Sequence, residues 1–300
     1  VINGFPGLLD QNLFKVISYL WINAIILLSG YHLYLSKKNF YILFIKIWWY
    51  LRCSIMKFKI LLVIPSRFNS TRLPGKPLKK IGGKTLIQRV YEKALKINCA
   101  KTIVATDDKR IYNHCVKNEI ECLITKKNHI TGSDRVSEVS KKYKYNWILN
   151  IQGDEPLINI NDVKNFIKKS ILLFKKQKFC ASTMYYKNID NHKLNLNEAR
   201  LLINSRKEII IGTRKKITKE RNKYYLKHIG IYLYRKKFIE KFPKLKKRYL
   251  ENDQKLEFLR IIENGYKIVA IKAKHFTTGV DTQKNLFEVR KLFKLKSFLN

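Results

Sequence analysis

The sequence predicts an α/β fold: a mostly parallel sheet with helices on both faces, preceded by an apolar helical extension. Three observations carry that prediction. From Met56 onward, strand-like and helix-like stretches alternate, the pattern of a parallel sheet with crossover helices. The strand-like runs are continuously apolar, as in strands buried on both faces. Charged and glycine-bearing motifs follow those runs directly, where open α/β sheets bind their ligands.

The extension comes first. Val16 to Leu35 contains no Asp, Glu, Lys or Arg and has the length of a helix that crosses a bilayer. A second apolar run, Phe40 to Ile55, is interrupted by Lys46 and Arg52. We read residues 1–55 as a leader upstream of a start at Met56. If retained, the segment would tether a cytoplasmic domain to the inner membrane, since Lys37 and Lys38 favour a cytoplasmic C-terminal side. The second region, 56–300, opens with a strand at Lys57–Ile64 that ends at Pro65. Thr85–Ile97 has helical spacing, with Leu86, Val90, Ala94 and Leu95 as the expected buried stripe. Lys101–Thr106 reads as a strand, Asp108–Glu119 as a helix, Trp147–Gln152 as a strand and Asn161–Lys175 as a helix.

Composition bounds the function only loosely. The 300 residues are 46% hydrophobic, enough for one sizeable core. Lys and Arg number 62 against 22 Asp and Glu, a formal charge of +40. The excess is mostly Lys, scattered along the chain with abundant Asn, Ile and Tyr. That pattern fits coding bias rather than a nucleic-acid footprint, and no nucleic-acid partner is expected. Five cysteines without a Cys-x-x-Cys pair suit free thiols in a reducing cytosol.

Three segments bear chemistry. Pro65 to Leu78 follows the first strand and carries Arg67, Arg72 and Lys76 with a glycine between prolines, a composition suited to a triphosphate. It is not a Walker A loop: Gly83-Lys84-Thr85 imitates the end of one, but Leu78 stands where the upstream glycine belongs. Gly153-Asp154-Glu155-Pro156 puts a carboxylate just past a central strand, and Thr278-Gly279-Val280-Asp281-Thr282 supplies a second. Two such carboxylates could share a divalent cation. Taken singly, the three segments also have plainer readings, as a solvated basic loop, a helix start and a turn.

The ordered set resembles the 3-deoxy-manno-octulosonate cytidylyltransferase family (the CMP-Kdo synthetases) of the sugar nucleotidyltransferase group. It runs from Pro65–Leu78 through Val104–Asp107, Thr131–Arg135, Asn150–Pro156, His228–Tyr232 and Leu256–Arg260 to Thr278–Thr282. The resemblance implies a Rossmann-like nucleotidyltransferase sheet with a small inserted region that binds the sugar and helps form a homodimer. It implies CMP transfer from CTP to the sugar acid Kdo, feeding lipopolysaccharide. Arg67 and Lys76 would hold the phosphates, and Thr106, Gly132, Ser133 and Arg135 would face the cytidine. Asp154 and Asp281 would ligate Mg²⁺. Gln152, Arg214, His228, Tyr232 and Glu257 would line the sugar site.

Some positions depart from the family pattern. Gly212-Thr213 precede Arg214 where an aromatic residue and Ser are usual; Gln254 stands for Glu, Phe258 for Gln, and Leu233 for Gly. Transfer to another acidic sugar such as a sialic acid, or an inactive membrane-tethered scaffold, are the competing readings. Outside the motifs, His228 reads as an ordinary strand histidine and Glu257 as a partner for Lys255 or Arg260. Asp107 and Asp108 read as caps of the helix that follows.

Overall fold

The computed structural model describes residues 58–177, 179–189, 196–215 and 224–297. The extension and its apolar stretch at 16–35 lie outside them. Among the described residues no helix is long and apolar enough to cross a membrane.

Strand β1 (Phe58–Ser66) is an interior strand of the main sheet. Leu61, Leu62, Val63 and Ile64 are all fully buried, because successive side chains enter cores on opposite faces of the sheet: Leu62 and Ile64 one, Leu61 and Val63 the other. That is why the run is continuously apolar instead of alternating. A short hairpin, β2 (Lys80–Ile81) and β3 (Lys84–Thr85), leads into helix α1 (Leu86–Leu95), capped by a Thr85–Gln88 capping box. The helix buries Leu86, Ile87, Val90, Tyr91 and Ala94. Leu95, expected in that stripe, is 51% exposed, since the buried face follows 86/87, 90/91 and 94 and turns away at the last residue.

Then come β4 (Cys99–Thr106), α2 (Lys109–Lys117), β5 (Cys122–Ile124), α3 (Gly132–Lys141), β6 (Trp147–Ile151) and α4 (Ile160–Lys176). Asp108 caps α2 through the Arg110 N–H, whereas Asp107 pairs with Arg135 at 3.0 Å. The rest is β7 (Ala181–Ile189), β8 (Arg200–Ile203), β9 (Ile209–Thr213), β10 (Tyr224–Arg235), α5 (Lys236–Ile239), α6 (Tyr249–Gln254), α7 (Leu259–Glu263), β11 (Ile268–Lys272) and α8 (Gln283–Ser297).

The main sheet has nine strands in the order β11-β7-β10-β6-β1-β4-β5, with β8 on β10 and β9 on β8. Only β9 and β10 run against the other seven, so the sheet is mixed but mostly parallel. Helices cover both faces: α1 and α4 contribute to one core, α3 and α5 to the other. Strand β10 is bent by a register shift against β7 between Ile229 and Tyr232. Its second half completes the main sheet beside β6, and its first half carries β8 and β9 as an antiparallel arm.

Candidate active site

A cleft of ≈ 720 Å³ opens at the carboxyl ends of β1 and β6, bounded on the far side by β10 and the α6–α7 segment. One wall begins where β1 ends. The loop after Ser66 folds on Phe68, whose carbonyl accepts the Ser70 and Gly75 N–H groups at 3.0 and 3.3 Å. The Arg110 guanidinium sits 3.3 Å from the Phe68 ring centroid and covers it. Gly75 adopts φ +64°, and a Cβ there would lie 3.2 Å from Phe68 Cζ, so glycine meets both the backbone and the space requirement. The turn at Lys76–Leu78, with Pro77 fixing its second residue, then sends Lys76 into the cleft.

There Lys76 meets the two aspartates. Its Nζ lies 2.6 Å from Asp154 Oδ2 and 3.1 Å from Asp281 Oδ1. Burial alone would depress this ammonium, but the two carboxylates outweigh it and its pKa is raised above the ordinary lysine value. Arg72 adds a second cation, 3.1 Å from Asp281 Oδ1. Segments far apart in sequence thus bring two carboxylates to one point. The Val280 N–H bonded to the Asp154 carbonyl at 2.8 Å fixes the approach. Arg67 is exposed in the same wall.

Two carboxylate oxygens around a point already held by a cation form a donor set that fits a magnesium ion, which takes few protein ligands and fills its shell with water and phosphate oxygens. Among the described residues no group of three His, Cys, Asp or Glu gathers as a protein-only metal cage.

The expected cytidine contacts are only partly brought to the cleft. Gly132 lines it, at the start of α3, where the Thr131–Asp134 capping box shapes the turn. Thr106 and Ser133 do not turn their side chains to it. Both side chains are fully buried: the Thr106 hydroxyl accepts the Asp108 N–H, and Ser133 Oγ bonds the Tyr234 hydroxyl. Arg135 reaches the wall but commits its guanidinium to Asp107 and Thr125.

On the opposite wall every expected residue is present. Gln152 approaches so closely that a Cβ at Gly230 would lie 3.0 Å from its Cγ, and its Nε2 donates to Glu257 Oε1 at 3.1 Å. The other Glu257 oxygen accepts the Ser133 N–H at 3.0 Å, so Glu257 pairs with neither Lys255 nor Arg260. Burial pushes its carboxyl pKa up. Arg214 is tied by its N–H to Gln254 Oε1 (2.9 Å) and by Nη1 to the Asn197 carbonyl (2.8 Å); burial and the Arg72 charge lower its pKa.

His228 Nε2 lies 3.0 Å from Thr183 Oγ1, and that hydroxyl also lies 2.8 Å from the Ile231 carbonyl. The carbonyl takes the single hydroxyl proton, which assigns the imidazole proton to Nε2 and leaves Nδ1 an acceptor. Burial, with Arg214 nearby, pulls the ring pKa down to about 3, so it is neutral at physiological pH. Tyr232 is 3% exposed and lines the cleft.

Sequence reasoning missed several groups. Lys227, 7% exposed, lines the cleft and pairs with Glu198 at 2.9 Å, and Asn197 accepts from Arg72 at 2.7 Å. Neither stands in a motif; only the antiparallel arm brings them in. Arg260 pairs with Asp134 at 2.8 Å and Glu251 at 2.7 Å, each partner less than 7% exposed.

The chain matches the family model described as cytidylyltransferase over residues 61–268. It is 41% identical over 237 residues to the 3-deoxy-manno-octulosonate cytidylyltransferase of Fusobacterium nucleatum, covering 77% of this chain and 95% of that protein. Against the enzyme of that name from Solibacter usitatus it is 36% identical over 243 residues, 79% of this chain and 95% of the other. The solved structure of CMP:2-keto-3-deoxy-manno-octonic acid synthetase complexed with CTP aligns with a TM-score of 0.72 at 32% identity, over 80% of this chain and 100% of that one. A cleft at the strand ends, a cationic loop and two convergent aspartates thus occur in a chain that belongs to the cytidylyltransferase family, among its 3-deoxy-manno-octulosonate cytidylyltransferases.

Proposed function

We infer that the chain is a nucleotidyltransferase that moves CMP from CTP to 3-deoxy-manno-octulosonate and releases pyrophosphate. The observation that carries this reading is the meeting of Asp154 and Asp281 at the Lys76 ammonium, in the loop that also carries Arg67 and Arg72.

The anomeric hydroxyl of the sugar attacks the α-phosphorus of CTP in line, and pyrophosphate departs. Such a transfer is mostly positioning plus neutralisation of charge on non-bridging oxygens. Asp154 and Asp281 would hold Mg²⁺, which when bound would supply charge neutralisation at the α-phosphate and activation of the sugar hydroxyl. Arg67 and Lys76 hold the triphosphate, and Gly132 stands beside the nucleoside. Both substrates are anionic, so Arg214 and Arg72, the cations between the two walls, screen their mutual repulsion. On the sugar side, Tyr232 and the Gln152–Glu257 pair supply polar groups, and the neutral His228 offers its Nδ1 acceptor to a sugar hydroxyl.

We also place a homodimer and a cytoplasmic location on this enzyme. Leu202 and Ile210, exposed on the β8–β9 arm, suit a second copy, and the free thiols Cys99, Cys115, Cys122 and Cys180 suit a reducing compartment. Sedimentation of the purified chain should show the dimer; a monomer at micromolar concentration removes it.

The decisive assay is pyrophosphate release from CTP and Mg²⁺ with Kdo or with a sialic acid. Release with Kdo alone is expected. Release with the sialic acid and none with Kdo would overturn the substrate assignment.

A further inference from the structure

The sugar side of the cleft rests on a ring that does not itself line the cleft. Phe258, directly after Glu257, is fully buried. Its ring centroid lies 4.9 Å from that of His228, with the planes at 42°. The Cζ end of the ring points at the backbone of β9. A Cβ built on Gly212 would fall 2.2 Å from Phe258 Cζ and 2.8 Å from Cε2, far inside van der Waals contact. Gly212 is not among the glycines with positive φ, so its backbone needs no glycine. What position 212 supplies is empty space, and Phe258 fills it.

We propose that Phe258 is a positioning residue for the sugar site: one aromatic slot, reachable from position 212 or from position 258, is filled here from 258 and fixes the His228 imidazole. The proposal rests on the assignment of His228 to the sugar side. The imidazole is bounded by Thr183 on β7 through its Nε2 and by the Tyr232 ring at 5.5 Å on its own strand. Phe258 closes it from the α6–α7 segment, leaving Nδ1 as the acceptor for a sugar-acid hydroxyl. The polypeptide around the slot is anchored independently. Arg214, two residues after Gly212, is bonded to Gln254, and Glu257 to Ser133 and Gln152. A change of ring therefore alters the filling of the slot before it alters the walls.

The test uses the full chain and four variants: Phe258→Leu, Phe258→Ala, Gly212→Phe and the double change Gly212→Phe/Phe258→Ala. Phe258→Ala should raise KM for Kdo about tenfold, the scale of one lost aromatic contact with its packing. KM for CTP should stay within about twofold, since distant sites respond independently. The His228 ring, followed by NMR, should titrate closer to its ordinary value once its cover is gone. Gly212→Phe alone should lower the urea midpoint sharply, and the double variant should recover most of both the midpoint and the Kdo KM. If the alanine or phenylalanine variants fail to fold, Phe258→Leu carries the KM and NMR readings, with smaller shifts of the same sign. An unchanged Kdo KM and His228 titration, a parallel rise in both KM values, or losses in the double variant that simply add would each overturn the proposal. Should the unaltered chain release no pyrophosphate with Kdo, the functional reading fails; the urea cycle and the His228 titration still decide whether Phe258 occupies the shared slot.

Discussion

The two walls of the cleft are built by different means. On the nucleotide wall, the loop of Arg67, Arg72 and Lys76 starts directly after one buried parallel strand and Asp154 follows closely on another, while Gly75 packs on Phe68 and Gly132 lines the cleft. On the sugar wall, Arg214, His228, Tyr232 and Glu257 come from β9, β10 and the α6–α7 link. Each of the polar contacts there is made by a partner on another element: Gln254 for Arg214, Thr183 for His228, Ser133 for Glu257. A wall of backbone and strand ends can be altered only by disturbing the sheet. A wall of side chains can be refilled from a neighbour, and two of the departures from the family pattern touch each other there, with Gly212 under the ring of Phe258. Gln254, a third, accepts from both the Thr213 hydroxyl and the Arg214 N–H, so a neutral amide does the anchoring.

The largest effect that sharpens this contrast is expected from Asp154→Asn. The amide keeps the shape but weakens the grip on a divalent cation. Turnover should fall by about 10³-fold or more, whichever sugar is offered. The thermal midpoint should stay within a few degrees, because the amide keeps the shape and Asp281, 3.1 Å from Lys76 Nζ, still pairs with the part-buried ammonium. Pyrophosphate release and a thermal melt on one preparation measure both. Turnover at the unaltered rate would remove Asp154 from the chemistry and with it the distinction between the walls.

A smaller effect, on stability instead of turnover, is expected where the walls are joined. Arg260 donates Nε and Nη2 to Glu251 on α6, both at 2.7 Å, and Nη1 to Asp134, the residue that caps the nucleotide turn at Thr131. The three side chains are 2–6% exposed. Arg260→Met leaves two carboxylates buried without their cation and should cost about 3–5 kcal/mol in urea denaturation. A loss below about 1 kcal/mol would mean that water reaches the network and that charge does not hold the walls together.

Much of the nucleotide wall was legible in the sequence because its parts are local. The apolar run of β1, the cationic loop and Gly153-Asp154 stand next to one another in the chain. The pairing of Asp154 with Asp281 was legible only through the ordered motifs, since no spacing rule brings those segments together. Periodicity placed α1 correctly but carried its buried stripe one residue too far, to Leu95, where the helix end turns to solvent. Thr106, Ser133 and Arg135 sit in motif positions, yet the side chains of Thr106 and Ser133 are held inside by Asp108 and Tyr234, and Arg135, at the cleft wall, is tied to Asp107. A motif gives the segment that meets the ligand, not which atoms face it. Lys227 and Asn197 were invisible because they reach the cleft only through the bend of β10 and the arm it carries.

The smallest effect tests the sugar wall through a single proton. The His228 ring is held neutral by burial and by the Arg214 charge, with its pKa lowered from 6.5 to about 3. In the unfolded chain the ring binds a proton below about pH 6.5, whereas in the folded chain it does not until pH is far lower. The unfolded state therefore gains protons first on acidification. The stability contributed by the neutral ring is complete above about pH 6.5 and is lost progressively as pH falls toward the folded value. His228→Gln keeps an N–H donor for Thr183 and removes the titration. Urea midpoints taken at intervals from roughly pH 8 to pH 5 should fall less steeply for the variant than for the unaltered chain, by up to about 1 kcal/mol per pH unit below 6.5. Curves that stay parallel over that range would mean that His228 charges freely in the folded protein. The wall would then meet the sugar acid with a second cation beside Arg214 instead of a neutral acceptor, and side-chain cover by Phe258 and Tyr232 would have no electrostatic consequence.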